Sequence, residues 1–310
     1  MIHQYHSNGK LLLTGEYLVL RGAEALALPL QKGQTLKVKP IAEKDRLIWR
    51  SIYNQRIFFE AEFSTDTLHI LKTNNLERAQ FLQKILTKAL GYIPAFIRRT
   101  GYFIETFLNF PLEWGLGSSS TLISNLSAWL NVNPFTLNQE ITQGSGYDIA
   151  CARSNRPIIY KTSNSVPEYR EIDFSLPFKD HIYFIYTGRK QRSYGEVKRF
   201  LDKPDQHSHL FGIIHNMNNR IIHSRSLKEF EETLQEHEQI MAGVLEEKTV
   251  KEKYFRDFPG TIKSLGAWGG DFILATWEGN RDELRQYFAP YGMDIIFSWD
   301  ELIKNKDHDG

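Results

Sequence analysis

Cysteine is almost absent from this sequence, because Cys151 is the only one among 310 residues. A disulfide within the chain is therefore excluded, and so is a zinc site built on several thiolates. Long apolar runs are missing too, since nowhere do the roughly 18 consecutive apolar residues of a membrane-spanning helix occur. The N-terminus also lacks the basic and apolar segments of a signal peptide. We therefore expect a cytoplasmic protein that does not bind a membrane.

Charge of one sign is not in excess either. The chain has 38 Lys and Arg against 37 Asp and Glu, and its ten histidines show no metal-ligand spacing. No overall field favours nucleic acid or an anionic surface, so any anion site must be built locally. We expect a small-molecule substrate and no nucleic-acid partner. Nothing in the sequence bears on the oligomeric state.

The apolar content suffices for a large fold, since 41% of the residues are hydrophobic and 13% are aromatic. Periodicity predicts strands at 34–39, 46–51, 56–62 and 100–110, with helices at 76–91 and 120–130. In the second half it predicts strands at 157–161, 181–187, 271–277 and 294–298, with helices at 208–224 and 226–247. This mixture predicts an α+β fold, and the change of pattern suggests two lobes, residues 1–165 and 166–310.

Residues 10–20 are dense in apolar side chains but are interrupted by Gly15 and Glu16. The interruption predicts two short strands or a bulged hairpin. Glu16 then either folds into a site or faces solvent from a strand.

A segment rich in glycine and serine lies between the strand predicted at 100–110 and the helix predicted at 120–130. It reads Gly115, Leu116, Gly117, Ser118, Ser119 and Ser120. Small residues let the backbone approach a ligand, and consecutive N–H groups at a helix N-terminus bind anions. The segment fits a phosphate cradle, or an ordinary turn with a serine cap. It is not a Walker A loop and it lacks the third glycine of a dinucleotide fingerprint.

Four segments together resemble the motifs of the GHMP superfamily of small-molecule kinases. The glycine segment with Pro111 is similar to the central motif, and residues 7–20 are similar to the opening motif, with Asn8 in place of its proline. Residues 144–150, Gly-Ser-Gly-Tyr-Asp-Ile-Ala, resemble the aspartate-bearing segment of mevalonate and phosphomevalonate kinases. Residues 263–271 resemble the closing glycine loop. Order and spacing agree across the four segments.

This resemblance implies a two-lobed GHMP kinase fold, with a β-rich N-terminal lobe, a ferredoxin-like C-terminal lobe, and use of ATP and Mg²⁺. It implies that Asp148 is the base or hydroxyl-orienting carboxylate, and that Lys10 acts beside it on the transferred phosphoryl group. Ser119 would serve the Mg²⁺–ATP site, and residues 115–120 would contact phosphate. Glu140 is the nearest acid for a second metal ligand, although an exposed helix position fits it as well. We further expect substrate contacts from Glu16, Gly146, Tyr147, Lys190, Arg192, Ser193, Gly266, Ala267, Gly269 and Gly270.

The segment from Tyr186 to Ser193 resembles the Thr-Gly-Lys-type loop of phosphomevalonate kinases. Its cations suit a substrate phosphate, although a basic surface loop would look the same. We therefore expect phosphomevalonate as the acceptor, with mevalonate as the alternative. A related diphosphomevalonate decarboxylase and a catalytically silent nucleotide-binding module also remain open.

Trp268 is the clearest departure from the family pattern, because it stands where the closing loop has a glycine. An indole cannot occupy space that a close backbone approach requires. Trp268 therefore points away from the substrate, covers the acceptor site, or belongs to the core.

Overall fold

The computed structural model describes residues 1–92, 100–142, 144–164, 166–189, 193–202, 206–266 and 268–305. The chain forms two compact units that interleave along the sequence. Unit 1 comprises Met1–Gly9, Lys32–Leu112 and Leu116–Arg153, and unit 2 comprises Lys10–Gln31, Glu113–Gly115 and Ser154–Gly310. The division into lobes after residue 165 stays a prediction.

Two strands contribute residues to both units, namely β1 (His3–Leu12) and β2 (Ala25–Ile41). The other elements of unit 1 are β3 (Arg46–Tyr53), β4 (Arg56–Ser64), β5 (Ile70–Thr73), α1 (Leu76–Tyr92), β6 (Gly101–Leu108), α2 (Ser118–Leu130), α3 (Pro134–Thr142) and α4 (Tyr147–Arg153). Its strands are ordered β5-β4-β3-β6-β2, and only the β3–β6 pair is parallel among the registered pairs of this part.

The core of unit 1 lies between this sheet and its helices. Buried side chains of β2, β3, β4 and β6 contact buried side chains of α1 to α4 in one cluster. The helix α1 contributes Ala79, Leu82, Ile85, Leu86 and Ala89, which recur at the three- and four-residue spacing of one helix face. Amphipathic packing of this kind explains why periodicity alone locates the helix.

Unit 2 contains β7 (Ile158–Ser163), β8 (Val166–Glu171), β9 (Ile182–Tyr186), α5 (Ser193–Asp202), α6 (Phe211–Ile222), α7 (Leu227–Leu245), α8 (Val250–Tyr254), β10 (Ile262–Leu265), β11 (Phe272–Thr276), α9 (Arg281–Phe288), β12 (Ile296–Ser298) and α10 (Trp299–Leu302). The start of β2 pairs with β7, and β7 pairs with β8. A separate antiparallel sheet has the order β10-β11-β9-β12. With helices between β9 and β10 and between β11 and β12, this is the ferredoxin-like arrangement, and that prediction is confirmed.

The segment 10–20 departs from its prediction after the first strand. β1 ends at Leu12, and Leu18–Arg21 forms a short 3-10 helix instead of a second strand. Gly15 and Tyr17 have φ angles of 79° and 59°, which a strand cannot accommodate.

Among the described residues, no helix combines the length and apolar character needed to cross a bilayer.

Candidate active site

The glycine-rich segment forms the turn that leads into α2. Gly115 and Gly117 have φ angles of 66° and 93°, so both positions favour glycine. The α2 helix begins at Ser118, the side chain of Ser119 is exposed, and the Ser120 hydroxyl donates to the carbonyl of Gly117 at 2.9 Å. Ser120 therefore braces the turn, whereas Ser119 is accessible at a helix N-terminus, where anions are favoured.

A small cavity within unit 2 brings together residues from three of the four motifs. It has a volume of about 80 Å³, and its lining includes Lys10, Gly115, Gly266 and Asp271. The Lys10 ammonium donates to the carbonyl of Gly115 at 3.1 Å. Asp271 lies 261 positions after Lys10 in the chain. The fold therefore brings together motifs that were connected only by their resemblance to one family. The Lys10 ammonium and the glycine backbone suit a phosphate group, and Asp271 places a carboxylate in the same cavity.

Asp271 is the member of this cavity to which the sequence assigned no role. Its carboxylate lies against Gly115, where a Cβ would come within 1.9 Å of Oδ2. Its backbone carbonyl accepts from the N–H of Thr187 at 2.9 Å, which ties the closing loop to the end of β9. The only sequence signal was its position directly after two glycines of the closing loop.

Asp148 lies in unit 1, in the first turn of α4. The turn before it uses Gly146, with a φ of 91°, whose carbonyl accepts from the N–H groups of Ile149 and Ala150 at 3.1 Å each. The Asp148 side chain is half-buried, and its Oδ1 accepts from the N–H of Ile149 at 3.0 Å. Tyr147, at the first position of the helix, is also half-buried. The glycine turn thus sets the direction of a partly accessible carboxylate.

A larger cavity of about 230 Å³, also within unit 2, has an aromatic and cationic lining. The aromatic residues are Tyr17, Phe200, Tyr254 and Trp268, and the charged residues are Arg189, Arg199, Lys253 and Glu247. The guanidinium of Arg189 stacks on the ring of Tyr254, 3.9 Å from its centroid. Lys253 forms an ion pair with Glu247. The two arginines give this cavity a positive balance.

Trp268 has a core position, which was one of the three alternatives for it. It is 5% exposed and packs in a cluster with Tyr17, Phe200 and Met241. Its indole N–H donates to the carbonyl of Lys248 at 3.2 Å, yet the side chain also lines the larger cavity together with Gly269. The indole is therefore a core residue whose edge forms part of a cavity wall.

Several other residues are expected to bind substrate, and three of them have no described structure. Lys190, Arg192 and Ala267 fall outside the described residues, and Ser193 is the first residue of α5. Gly266 and Gly269 have positive φ angles of 76° and 72°, and the Gly270 carbonyl accepts from the Thr187 hydroxyl at 2.9 Å.

Glu16 is 1% exposed and lines neither cavity. Its Oε1 accepts from the Lys263 ammonium at 2.6 Å. Glu16 therefore does not face solvent, and its expected contact with substrate stays a prediction that neither cavity supports.

Glu140 lies on α3, where Lys88 forms an ion pair with it at 3.0 Å and the Tyr92 hydroxyl donates to it. These hydrogen bonds, first that from Tyr92 and then that from Lys88, hold the pKa of the Glu140 carboxyl below its usual value. The carboxylate is thus engaged by surface neighbours, as expected for an exposed helix position. Its role as a metal ligand stays a prediction that none of these contacts supports.

Three solved structures with the same fold are distant from this chain in sequence. A mevalonate kinase from Methanococcus jannaschii is 17% identical, with a TM-score of 0.71 and 99% of each chain covered. A Streptococcus pneumoniae phosphomevalonate kinase, solved with phosphomevalonate and AMPPNP, is 14% identical, with a TM-score of 0.70 and coverage of 96% of this chain and 99% of that one. A Staphylococcus aureus mevalonate diphosphate decarboxylase is 12% identical, with a TM-score of 0.61 and coverage of 98% and 95%.

No protein-family model matches the chain, and no curated protein matches it significantly by sequence. The structural similarity nevertheless covers nearly the whole chain. The chain therefore has the two-lobed α+β fold of the GHMP kinases, and the resemblance inferred from the four motifs is confirmed at the level of the fold.

Proposed function

We propose that this protein transfers the γ-phosphate of ATP to a small anionic acceptor, with phosphomevalonate as the first candidate and mevalonate as the second. The observation that carries the proposal is the small cavity that contains Lys10, Gly115, Gly266 and Asp271. Three motifs that resemble those of GHMP kinases meet there in a chain that has the fold of those kinases. Shared fold alone would not define an activity, but these residues supply suitable chemistry.

Each residue has a physical role in the proposed transfer. Phosphoryl transfer depends on positioning and on neutralising charge at the phosphate oxygens. Lys10 supplies a positive charge to the transferred group, and the N–H groups at the start of α2 bind phosphate oxygens. Asp148 orients the accepting oxygen, which is a phosphate oxygen in phosphomevalonate and a hydroxyl in mevalonate, and in the second case it also accepts the hydroxyl proton. The bond from oxygen to the γ-phosphorus then forms while the bond to ADP breaks.

The residues fit Mg²⁺ as an ion carried by the nucleotide. Mg²⁺ is usually held by one or two carboxylates together with substrate phosphates, not by a complete protein cage. In the part of the chain that the structure describes, no group of three metal-binding side chains occurs. The exposed Ser119 hydroxyl is the ligand that we assign to the ion. Asp271 adds a negative charge beside the small cavity, which favours a phosphate that arrives with its cation.

The larger cavity is the acceptor site in this proposal. Arg189 and Arg199 together carry more positive charge than a single carboxylate would balance, and guanidinium groups suit phosphate. Its aromatic walls suit the apolar carbon body of such an acceptor. This balance is why phosphomevalonate ranks before mevalonate.

The test is ADP formation with ATP and Mg²⁺, measured in parallel with phosphomevalonate and mevalonate, with products identified by mass. We expect a phosphorylated product, and we expect its rate of formation to fall by a factor of about 10²–10⁴ in Asp148→Ala. Asp66→Asn is the matched control, because this exposed aspartate of unit 1 lies in a turn outside the site. Arg199→Met is expected to raise KM for phosphomevalonate more than for mevalonate.

Other outcomes contradict the proposal in different ways. Release of carbon dioxide with ADP from diphosphomevalonate would identify a decarboxylase. Tight AMPPNP binding without turnover of either acceptor would indicate a silent nucleotide-binding module or a different acceptor. Unchanged turnover in Asp148→Ala would remove this carboxylate from the mechanism.

A further inference from the structure

A fully buried ionic cluster lies within unit 2, outside both cavities. Lys263 is 0% exposed, and its ammonium donates to Glu16 Oε1 at 2.6 Å, to Glu238 Oε1 at 3.2 Å and to the carbonyl of Ser264 at 2.9 Å. Glu16 and Glu238 are 1% and 2% exposed. His237 is 0% exposed, with its Nε2 at 3.5 Å from Glu16 Oε2. Four ionisable side chains are thus removed from water together.

His237 does not contribute a positive charge to this cluster. Its Nε2 accepts from the N–H of Gly15 at 3.1 Å, so this nitrogen carries a lone pair and no proton. Burial, and then the charge of Lys263, hold the pKa of His237 well below its usual value. The ring is therefore neutral, and its approach to Glu16 is not an ion pair.

Two carboxyl groups then share one ammonium. If both were ionised, a net negative charge would be buried, which is strongly unfavourable without a further partner. Both Glu16 Oε2 and Glu238 Oε2 are buried without a hydrogen-bond partner. Among the described residues, the other charged group that acts on the cluster is Glu252 of α8, which is also negative and whose charge raises the pKa of Glu238. The charge count among the described residues is balanced only if one carboxyl keeps its proton.

We infer that Glu16 and Glu238 share one retained proton beside Lys263, and that this proton positions the wall of the acceptor cavity. The second half of this inference rests on the function proposed above. Glu16 is thereby a positioning residue that acts through its neighbours, and it contacts neither the nucleotide nor the acceptor.

The contacts of the neighbouring residues connect the cluster to the cavity wall. Tyr17 follows Glu16 directly, lines the larger cavity, and accepts from the N–H of Trp268 at 3.0 Å. On the other side, Ser264 follows Lys263, and its hydroxyl oxygen accepts from the N–H of Gly269 at 2.9 Å. The opening motif and the closing loop are therefore fixed to one another one residue away from the Glu16–Lys263 bond. A second negative charge in the cluster would disturb both at once.

The direction of the pKa shifts agrees with this count. Burial raises the pKa of Glu16 to about 7 although Lys263 opposes the rise. Burial likewise raises the pKa of Glu238 against the opposing charge of Lys263. Because the two carboxyls interact, the proton belongs to the pair and is released near neutral pH.

Infrared spectroscopy tests for the proton directly. With glutamate labelled by carbon-13, we expect the carbonyl band of a protonated carboxylic acid at about pH 6, where exposed glutamates are ionised. The band should disappear as the pH rises, and it should be absent at about pH 6 in both Glu16→Gln and Glu238→Gln, since each leaves one carboxylate for Lys263. Glu232→Gln, at an exposed position of α7, is the control and should keep the band.

The positioning role has a separate kinetic readout. In the wild type, KM for the acceptor should rise with pH above neutrality, by up to about tenfold per pH unit, the limit for release of one proton. In Glu16→Gln this rise should be absent while kcat changes little. A wild-type protein without the infrared band would overturn the retained proton. A band with the same KM profile in Glu16→Gln would overturn the positioning role. The infrared result does not require turnover, so a failed kinase proposal would be recognised separately.

Discussion

Gly115 lies against the Asp271 carboxylate and has a φ of 66°. We predict that Gly115→Ala destabilises the fold by about 1–3 kcal/mol, through both the strained backbone and the crowding of a new Cβ. The phosphate-binding turn should be displaced as well, so nucleotide affinity should fall. Chemical denaturation and AMPPNP titration measure the two effects.

The control for this change is Gly91→Ala, in α1. A Cβ at Gly91 meets no atom of the described residues within 4 Å, and the helix favours alanine over glycine by about 0.5–1 kcal/mol. This variant should be neutral or slightly more stable. If Gly115→Ala behaves like Gly91→Ala, then the close approach to Asp271 is not important for the turn.

At the residue scale, the sequence indicated which residues belong to a motif better than it indicated which distant side chains they contact. Lys10 and the glycine segment were assigned from their motif, and the structure brings Lys10 and Gly115 into contact. The partners of Glu16 and a role for Asp271 were not predicted, because both depend on contacts between distant segments. Lys263 contacts Glu16 across 247 positions, and nothing local marks either residue as buried.

The helix α9 shows how a single element is stabilised at its start. Its N-cap, Asn280, accepts from the N–H of Glu283 at 2.9 Å, and the Glu283 carboxylate accepts from the N–H of Asn280 at 3.1 Å. We predict that Asn280→Ala lowers the free energy of unfolding by about 1 kcal/mol, because the N–H of Glu283 in the first turn loses its acceptor. Thermal or chemical denaturation measures the loss.

Asn280→Asp is the matched variant for this prediction. It keeps an acceptor at the cap and adds a negative charge where the helix dipole favours one, so its stability should equal or slightly exceed that of the wild type. Equal losses in both variants would mean that the amide group is needed for another reason.

At the element scale, periodicity was informative where a helix packs with one face. The helix predicted at 226–247 is observed as Leu227–Leu245, with Phe230, Leu234 and Met241 buried. It failed at 10–20, since apolar residues there are buried around a turn with positive φ angles instead of along a strand. The apolar residues of this segment recur at neither the spacing of a strand nor that of a helix, so hydrophobic periodicity could not predict the 3-10 helix.

The stability of the whole molecule should depend on pH through the buried cluster. The pKa of Glu16 is raised in the folded state to about 7 from an ordinary 4.5. Its stabilising contribution is therefore complete below pH 4.5 and is lost as the pH rises through about 7. The size of the loss is about 3 kcal/mol, from a difference of roughly 2.5 pKa units at 1.36 kcal/mol each.

His237 contributes with the opposite sign, because its pKa is lowered on folding and stability is lost as the pH falls. The measurement is therefore the difference in unfolding free energy between wild type and Glu16→Gln, followed from about pH 4.5 to about pH 8. As the pH rises, the free energy of unfolding of the wild type should fall relative to that of Glu16→Gln. A difference that does not vary with pH would contradict the raised pKa of Glu16.

For the molecule as a whole, motif order predicted the fold better than any single segment did. Each motif alone also fits an ordinary turn or cap, whereas four in order define a fold that structural similarity confirms over nearly the whole chain. The acceptor was less predictable, since the cavity assigned to it draws on Arg199, Phe200 and Tyr254, which belong to no motif.

Cys151 offers a practical consequence of the near absence of cysteine. This thiol is completely buried in α4, three residues after Asp148. Alkylating reagents should therefore reach it only when unit 1 opens, so that its rate of modification reports local unfolding beside the proposed catalytic aspartate. A cysteine introduced on the surface could be labelled with a fluorophore selectively, without first removing the native thiol.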